Sequence, residues 1–239
     1  MPSIQLVIFD MAGTTVADEH EVEACFAEAA TQTGLTVSAE RILAMQGMSK
    51  RHVFDVLWRE QLAHPTADTT RYVDKSYVRF TEILEDHYST ESVMPTEGCL
   101  DAFDFLHKQG IPIALTTGFY RKVTTIILDR LEWLDGLNEQ YLGTTDSIIQ
   151  ASIASDEVTE GRPKPFMIQE IMRRLGVSNP KAVVNLGDTP SDLQSAWAAG
   201  VGHNIGLTNG THSRAQLTPY PHHQLLNSLT ELPDYIRSI

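Results

Sequence analysis

The residues best suited to chemistry sit where short apolar runs end. Ile4 to Phe9 delivers Asp10, followed by Met11-Ala12-Gly13-Thr14-Thr15. Ile111 to Gly118 ends in Thr117-Gly118, and Ala182 to Asp188 leads into Thr189-Pro190-Ser191-Asp192. A fourth segment, Gly161-Arg162-Pro163-Lys164-Pro165, carries a guanidinium. In this pattern Asp10 is a candidate nucleophile, with Thr14 on the turn beside it. Thr117 and Gly118 offer a hydroxyl and a backbone N–H to phosphoryl oxygens, and Arg162 offers the balancing cation. Asp188 and Asp192 have the hard oxygen ligands that suit Mg2+, which commonly keeps one or two carboxylates plus waters and substrate oxygens. An anionic carboxylate attacks an anionic phosphoryl group only when a cation and a metal offset their repulsion. Taken singly, each segment has an ordinary explanation: a turn, a cap or a solvated loop arginine. Their combination along nearly the whole chain, each at the end of a predicted strand or loop, is less readily explained that way.

These side chains need a scaffold that gathers strand ends. Helical periodicity precedes or follows each apolar run: Leu100, Phe103, Phe105 and Leu106; Val123, Ile126, Ile127, Leu131 and Leu134; Phe166 to Leu175, stopped by Gly176; and Ser191 to Ala199, stopped by Gly200. Strands alternating with helices predict an α/β fold, a doubly wound parallel sheet of Rossmann-like form with ligands at the carboxyl ends of its strands. A last strand is predicted over Val201 to Leu207 and a short helix around Ser228 to Ile236. The stretch from 16 to 93 breaks the alternation. It has helical patterns at Glu21 to Ala30, Ala39 to Met45, Lys50 to Leu62 and Tyr72 to His87, and no convincing strand. It reads as an inserted all-helical cap, with the core in 1–15 and 94–239 and hinges near Val16–Ala17 and Ser92–Pro95. Trp58, Trp133 and Trp197 lie on apolar helical faces and read as packing residues. Met45 and Met48 read as core, and His222-His223 as a solvated loop.

Composition narrows the function classes. A chain of 239 residues with 42% hydrophobic content supports a sizeable core. The net charge of −13 argues against nonspecific nucleic-acid binding, and any phosphate site must rely on local cations and dipoles. No stretch approaches a membrane span, and the first strand begins almost at once, leaving no room for a signal peptide. Two cysteines without metal-ligand spacing fit a reducing cytosol. A cytoplasmic protein is expected.

The four segments resemble the motifs of the haloacid dehalogenase-like hydrolase superfamily, whose first strand ends in a nucleophilic Asp. The resemblance implies that Asp10, the Ala12 carbonyl, Asp188 and Asp192 form the metal site. Phosphatases of that superfamily carry a second Asp two residues after the nucleophile, as general acid; here Ala12 stands there. Within the superfamily the chain is most similar to the phosphonoacetaldehyde hydrolases, or phosphonatases. Shared with them are Asp10-x-Ala12-Gly13-Thr14, Arg162 in Gly-Arg-Pro-Lys-Pro-Phe-Met, and Gly47-Met48-Ser49-Lys50, matching the segment whose lysine forms a Schiff base with substrate. These departures from the phosphatase pattern make chemical sense together. Breaking a carbon–phosphorus bond expels a carbon, a far worse anion than an alkoxide. A Lys50 imine acts as the electron sink, so the carbon leaves as an enamine and no oxygen needs protonating at residue 12. An unperturbed lysine is neutral in only about 10⁻³ of molecules near pH 7, so this role predicts a pKa lowered by burial or by a cation, with Arg51 and Arg162 as candidates.

The match fails in places. Gln46 replaces a family Met, Val53 a His, Phe119 a Tyr, and a residue near His20 a Cys, all around the aldehyde end of the substrate. His52, one place before Val53, is a candidate proton shuttle or a structural helix residue. Four alternatives therefore stand: cleavage of a phosphonoacetaldehyde-like C–P bond; phosphate-ester hydrolysis with Lys50 as substrate clamp; dehalogenation, against which Arg162 and the Thr117-Gly118 pair count; and a non-catalytic binding member of the fold. The resemblance also implies a homodimer formed through the caps.

Overall fold

The computed structural model describes residues 4–62 and 68–239. Six parallel strands form one sheet in the order β3-β2-β1-β4-β5-β6, with β1 at Leu6–Phe9, β2 at Ile113–Thr117, β3 at Ala151–Ala154, β4 at Val183–Gly187, β5 at His203–Leu207 and β6 at Gln224–Leu226. The expected doubly wound α/β architecture is the one observed. Every residue of β1 is fully buried. That requires the continuous apolar run seen in the sequence, because helices cover both faces. Val7 and Phe9 pack with α5 (Cys99–Lys108) and α6 (Arg121–Arg130); Leu6 and Ile8 face α7 (Phe166–Arg174) and α8 (Pro190–Ala199).

Strand order reverses between β1 and β4, the switch point where a doubly wound sheet opens a crevice. The two strands run in register, Phe9 beside Leu186, and the Asp10 N–H donates to the Leu186 carbonyl (2.9 Å). Asp10 and Asp188 therefore leave adjacent strands at the same edge.

Between β1 and α5 the described residues hold only helices: α1 (Glu21–Thr33), α2 (Ala39–Leu43), α3 (Lys50–Gln61) and α4 (Asp68–Thr90). The predicted insertion 16–93 also includes 63–67, and the predicted core 1–3; these lie outside the described residues. On α4, Val73, Ser76, Phe80, Leu84 and Tyr88 form one buried stripe at helical spacing. Phe26, Phe54 and Phe80 from α1, α3 and α4 join in an aromatic cluster, with ring centroids 4.1, 5.7 and 6.0 Å apart. The two connecting segments lie side by side: Val16 bridges Pro95, and the Ala17 N–H donates to the Met94 carbonyl (2.9 Å).

Several element assignments need correcting. β3 is not visible in the sequence because Ala-Ser-Ile-Ala has no apolar run; its small side chains are buried under α6 and α7. β6 is a three-residue edge strand. The helix predicted through Leu134 stops at Arg130, where Leu131 caps it. Trp58 and Trp133 are buried as expected, but Trp197 is 57% exposed. α8 is short, and its inward face is taken by Leu193 and Ala196. Two further helices, α9 (Arg214–Leu217) and α10 (Leu232–Arg237), close the fold. Cys25 and Cys99 are buried and unbridged, and no helix among the described residues is long and apolar enough to cross a membrane.

Candidate active site

Asp10, one residue beyond β1, is buried and held by Arg162. One guanidinium nitrogen, Nη1, lies 2.5 Å from Asp10 Oδ1 and 2.9 Å from Asp192 Oδ1, and Nη2 donates to the Thr116 hydroxyl (2.6 Å). Arginine's planar fork suits this bridging of several acceptors from one fixed position. Thr116 was not singled out in the sequence, where its neighbour Thr117 attracted the assignment. The Thr117 hydroxyl instead accepts from the Phe119 N–H (3.1 Å), while Thr117 and Gly118 line the cavity above Asp10.

The segment after β4 has a local explanation. Thr189 is the N-cap of α8 and Pro190 its first residue, and Asp192 completes a capping box: the Asp192 Oδ2 accepts from the Thr189 N–H and hydroxyl (3.1 and 2.5 Å). One carboxylate oxygen is thus spent on the helix end. The other, Oδ1, is turned toward Arg162 and buried, with no hydrogen bond aligned on it. Asp188 Oδ1 accepts from the Thr14 hydroxyl (3.1 Å) and Oδ2 from the Thr211 N–H (2.6 Å). Gly13 turns the chain at φ +82°, and a β-carbon there would collide with Asp188 Oδ2. The glycine lets the turn after β1 lie directly against the second strand's carboxylate.

Asp10, Asp188 and Asp192 bring one oxygen each within 4.8 Å of one another, all three residues being buried. Three carboxylates against one guanidinium leave a charge of about −2, which low-dielectric surroundings resist. The consequence appears in their ionisation. Burial pushes Asp10 up well above the usual carboxylate range, against the pull of Arg162 and with the push of Asp192 and Asp188. Asp188 is pushed up to about 6, by burial and then by Asp192. Arg162 stays charged: burial opposes it, but Asp192 and Asp10 more than compensate. An all-oxygen donor set, a buried carboxylate oxygen without a donor and a charge that a divalent cation cancels fit Mg2+. The Ala12 residue lines the same cavity.

Lys50, the first residue of α3, is 6% exposed and lines the cavity that holds Asp10, together with Gln46, Gly47, Val22 and Asp18. Its ammonium donates to Gln46 Oε1 (2.8 Å), four residues earlier in the turn that precedes α3. Burial lowers the Lys50 pKa to about 8, opposed by Asp18 and Asp10 and aided by Arg162. Of the two cations offered as causes, Arg162 contributes; Arg51 points outward and pairs with Asp74. Val53 packs in the core, and His20 is exposed beside Glu23. His52 is exposed and borders a separate cavity of about 370 Å³ with Ser49 and Arg162. Asp18, Val22 and Thr211 line the cavity without any signal in spacing or motif, and of these Asp18 is the titratable one.

The helical insertion meets the sheet edge with no spare room. A β-carbon on Gly118 would come within 2.6 Å of the Gly47 carbonyl, and one on Gly47 (φ +79°) would strike Thr189 Oγ1. Gly118 has no left-handed backbone, so Gly118→Ala tests the contact alone. The expected result is a loss of about tenfold or more in turnover with a melting temperature within a few degrees of wild type, measured by steady-state phosphate release and calorimetry.

A family model described as haloacid dehalogenase-like hydrolase matches residues 4–200. Phosphonoacetaldehyde hydrolase from Bacteroides fragilis is 27% identical over 222 residues, covering 90% of this chain and 80% of the relative. The Latilactobacillus sakei protein of the same name is 27% identical over 252 residues, covering 100% of this chain and 89% of the relative. Among solved structures, a phosphonoacetaldehyde hydrolase-like protein from Oleispira antarctica superposes with a TM-score of 0.79 at 18% identity, covering 98% of this chain and 92% of that one.

Proposed function

The chain belongs to the haloacid dehalogenase-like hydrolases, and from that premise we propose that it is a phosphonatase-type enzyme: a magnesium-dependent hydrolase of the carbon–phosphorus bond in a small phosphonate bearing a carbonyl, such as phosphonoacetaldehyde. The observation that carries this reading is the shared cavity of Asp10 and Lys50. A buried amine with a pKa of about 8 faces the nucleophile across a chamber in which residue 12 offers no acid. At that pKa roughly a tenth of Lys50 is neutral near pH 7, about a hundredfold more than for an unperturbed lysine. The name of the curated relatives supports the same substrate class.

In this reading Lys50 condenses with the carbonyl carbon, and Asp10 attacks phosphorus. The carbon–phosphorus electrons pass into the imine, leaving an enamine on Lys50 and a phosphoryl group on Asp10; water then hydrolyses both. Arg162, fixed by Thr116 and Asp192, holds Asp10 in line and balances charge on the transferring group. Thr117 and the Gly118 N–H take phosphoryl oxygens, with Thr14 steadying Asp188. Asp10, Asp188, Asp192 and the Ala12 carbonyl would hold Mg2+, which supplies positive charge against the developing anion. Residues 16–93 act as the cap that carries Lys50 over the core, and a homodimer through the caps accompanies the family resemblance.

The Gln46–Lys50 hydrogen bond favours a second reading. It holds the amine as an ion-pairing donor, as an ester phosphatase would use it. Lys50→Arg separates the two. The first reading expects phosphonoacetaldehyde cleavage to fall by about 10³-fold or more, because a guanidinium forms no imine. Wild-type inactivity on phosphonoacetaldehyde, with ester hydrolysis kept within about tenfold in Lys50→Arg, supports the clamp instead.

A further inference from the structure

A lysine that forms and releases an imine needs a proton donor and acceptor beside it. The residues the family resemblance would suggest do not serve here: Val53 is apolar and buried, His20 is exposed on the surface, and His52 borders another cavity. Besides Asp10 and Lys50, the cavity is lined by one titratable side chain, Asp18. It sits on the segment leading into α1, and its carboxylate is the strongest charge influence on the Lys50 amine. We propose that Asp18 is the acid–base catalyst of the Lys50 condensation and of the later imine hydrolysis, a role that rests on the carbonyl-phosphonate reading above.

The local surroundings favour a carboxyl that carries a proton. Asp18 Oδ1 accepts from the Val22 N–H (3.4 Å), and Glu21 Oε2, three residues after Asp18, is buried without a donor. A proton on Asp18 would supply the donor that this oxygen lacks. Burial, followed by the influence of Glu21, pushes Asp18 up to about 7, while Asp18 lowers Glu21 despite its burial. These directions favour the proton on Asp18 over Glu21. Other groups that feel or face this carboxyl are Lys50 from α3, Asp188 from the end of β4, Cys25 from α1, and Tyr88 from α4, with His87 acting on Glu21.

The step balances. The neutral amine of Lys50 attacks the carbonyl carbon and forms the C–N bond. The carbonyl oxygen leaves as water, with one hydrogen from the amine and one from Asp18. An iminium on Lys50 and a carboxylate on Asp18 remain. After carbon–phosphorus cleavage the enamine takes up on carbon the proton released when water hydrolyses the phosphoryl group on Asp10, and so becomes an iminium again. Water then adds to the same carbon that lost its oxygen, returning one proton to Asp18 and one to nitrogen as the C–N bond breaks. The cavity thus ends with the protons it began with. With unperturbed groups, roughly one molecule in 10⁶ or fewer would hold a protonated Asp and a neutral Lys together near neutral pH. With pKa values of about 7 and about 8, roughly one in twenty does so near pH 7.5.

The test is the rate at which borohydride traps a Lys50 adduct with acetaldehyde, followed by peptide mass spectrometry. Acetaldehyde has no phosphorus, so the assay isolates the imine from chemistry at Asp10. Wild type is expected to give a bell-shaped profile centred between about pH 7 and 8. Asp18→Asn should trap about 100-fold more slowly and lose the fall on the alkaline side. In Asp18→Ala, added formate should restore a measurable part of the rate, which a purely structural loss would not allow. Trapping in Asp18→Asn at the wild-type rate and with the wild-type profile, or no formate rescue in a folded Asp18→Ala, overturns the role of Asp18 and leaves the imine intact. No adduct in wild type overturns the imine reading and the Asp18 role with it.

Discussion

Asp10→Asn is expected to cut phosphate release by about 10⁴-fold or more from any phosphoryl substrate while leaving the protein at least as stable at neutral pH. In the proposed mechanism the substitution removes the attacking oxygen; losses of this order accompany removal of a nucleophile that acts as part of a unit. The stability expectation follows from the charge of the site. Asp10 is one of three buried carboxylates served by a single Arg162, and burial already drives it toward its neutral form. An isosteric neutral amide keeps an acceptor for Arg162 Nη1 and lowers the repulsion on Asp188 and Asp192. Urea melts and phosphate-release assays on the same preparation check both halves. Activity within tenfold of wild type would remove Asp10 from the reaction and favour a binding role for the fold; lost activity with a collapsed melting transition would mean that Asp10 is structural.

Arg162→Met is expected to have the largest effect on stability. The methionine fills much of the space but leaves Asp10 and Asp192 buried without their cation and the Thr116 hydroxyl without its donor. Breaking a buried pair from one side costs about 3–5 kcal/mol, which for a chain of this size lowers the melting temperature by roughly 10 °C. Activity should fall by about 10³-fold or more, since the group proposed to neutralise the phosphoryl charge is gone. The pH dependence has a definite sign. Asp188, at about 6, and Asp10 have folded-state pKa values raised above those of the unfolded chain. Groups of that kind favour the fold at low pH and lose their contribution as pH rises through the folded value. The variant should regain part of its stability between pH 7.5 and pH 5.5, and Mg2+ should restore part of it at pH 7.5. A melting temperature unchanged from wild type would contradict the charge balance described for this site.

Much of this site is legible in sequence because it is local. β1 is buried on both faces, so its apolar run and terminal Asp10 announce themselves. Gly187 to Asp192 combines a strand end, an N-cap, an N1 proline and a capping-box acid, each with a recognisable composition. Lys50 is different: periodicity places it only at a helix start, and the resemblance suggested its chemistry. What stayed hidden depends on three-dimensional closure. Asp18 enters the cavity because the segment after β1 folds back toward α3, a juxtaposition that no spacing encodes. Thr116 and Thr117 are consecutive at a strand end, and which hydroxyl meets Arg162 depends on the path of residues 161–165. β3 lacked an apolar run because a strand covered closely by two helices can be built from alanine and serine. Trp197 looked like a packing residue on a short helix whose inward positions were already filled.

The central claim is that Lys50 joins Asp10 in one covalent mechanism at one cavity. The most direct measurement adds phosphonoacetaldehyde and borohydride to the Mg2+-loaded enzyme and locates any adduct by peptide mass spectrometry. One reduced adduct, on Lys50, is expected, formed as phosphate release stops. An enzyme that still releases phosphate at full rate under borohydride, with Lys50 unmodified, would contradict it.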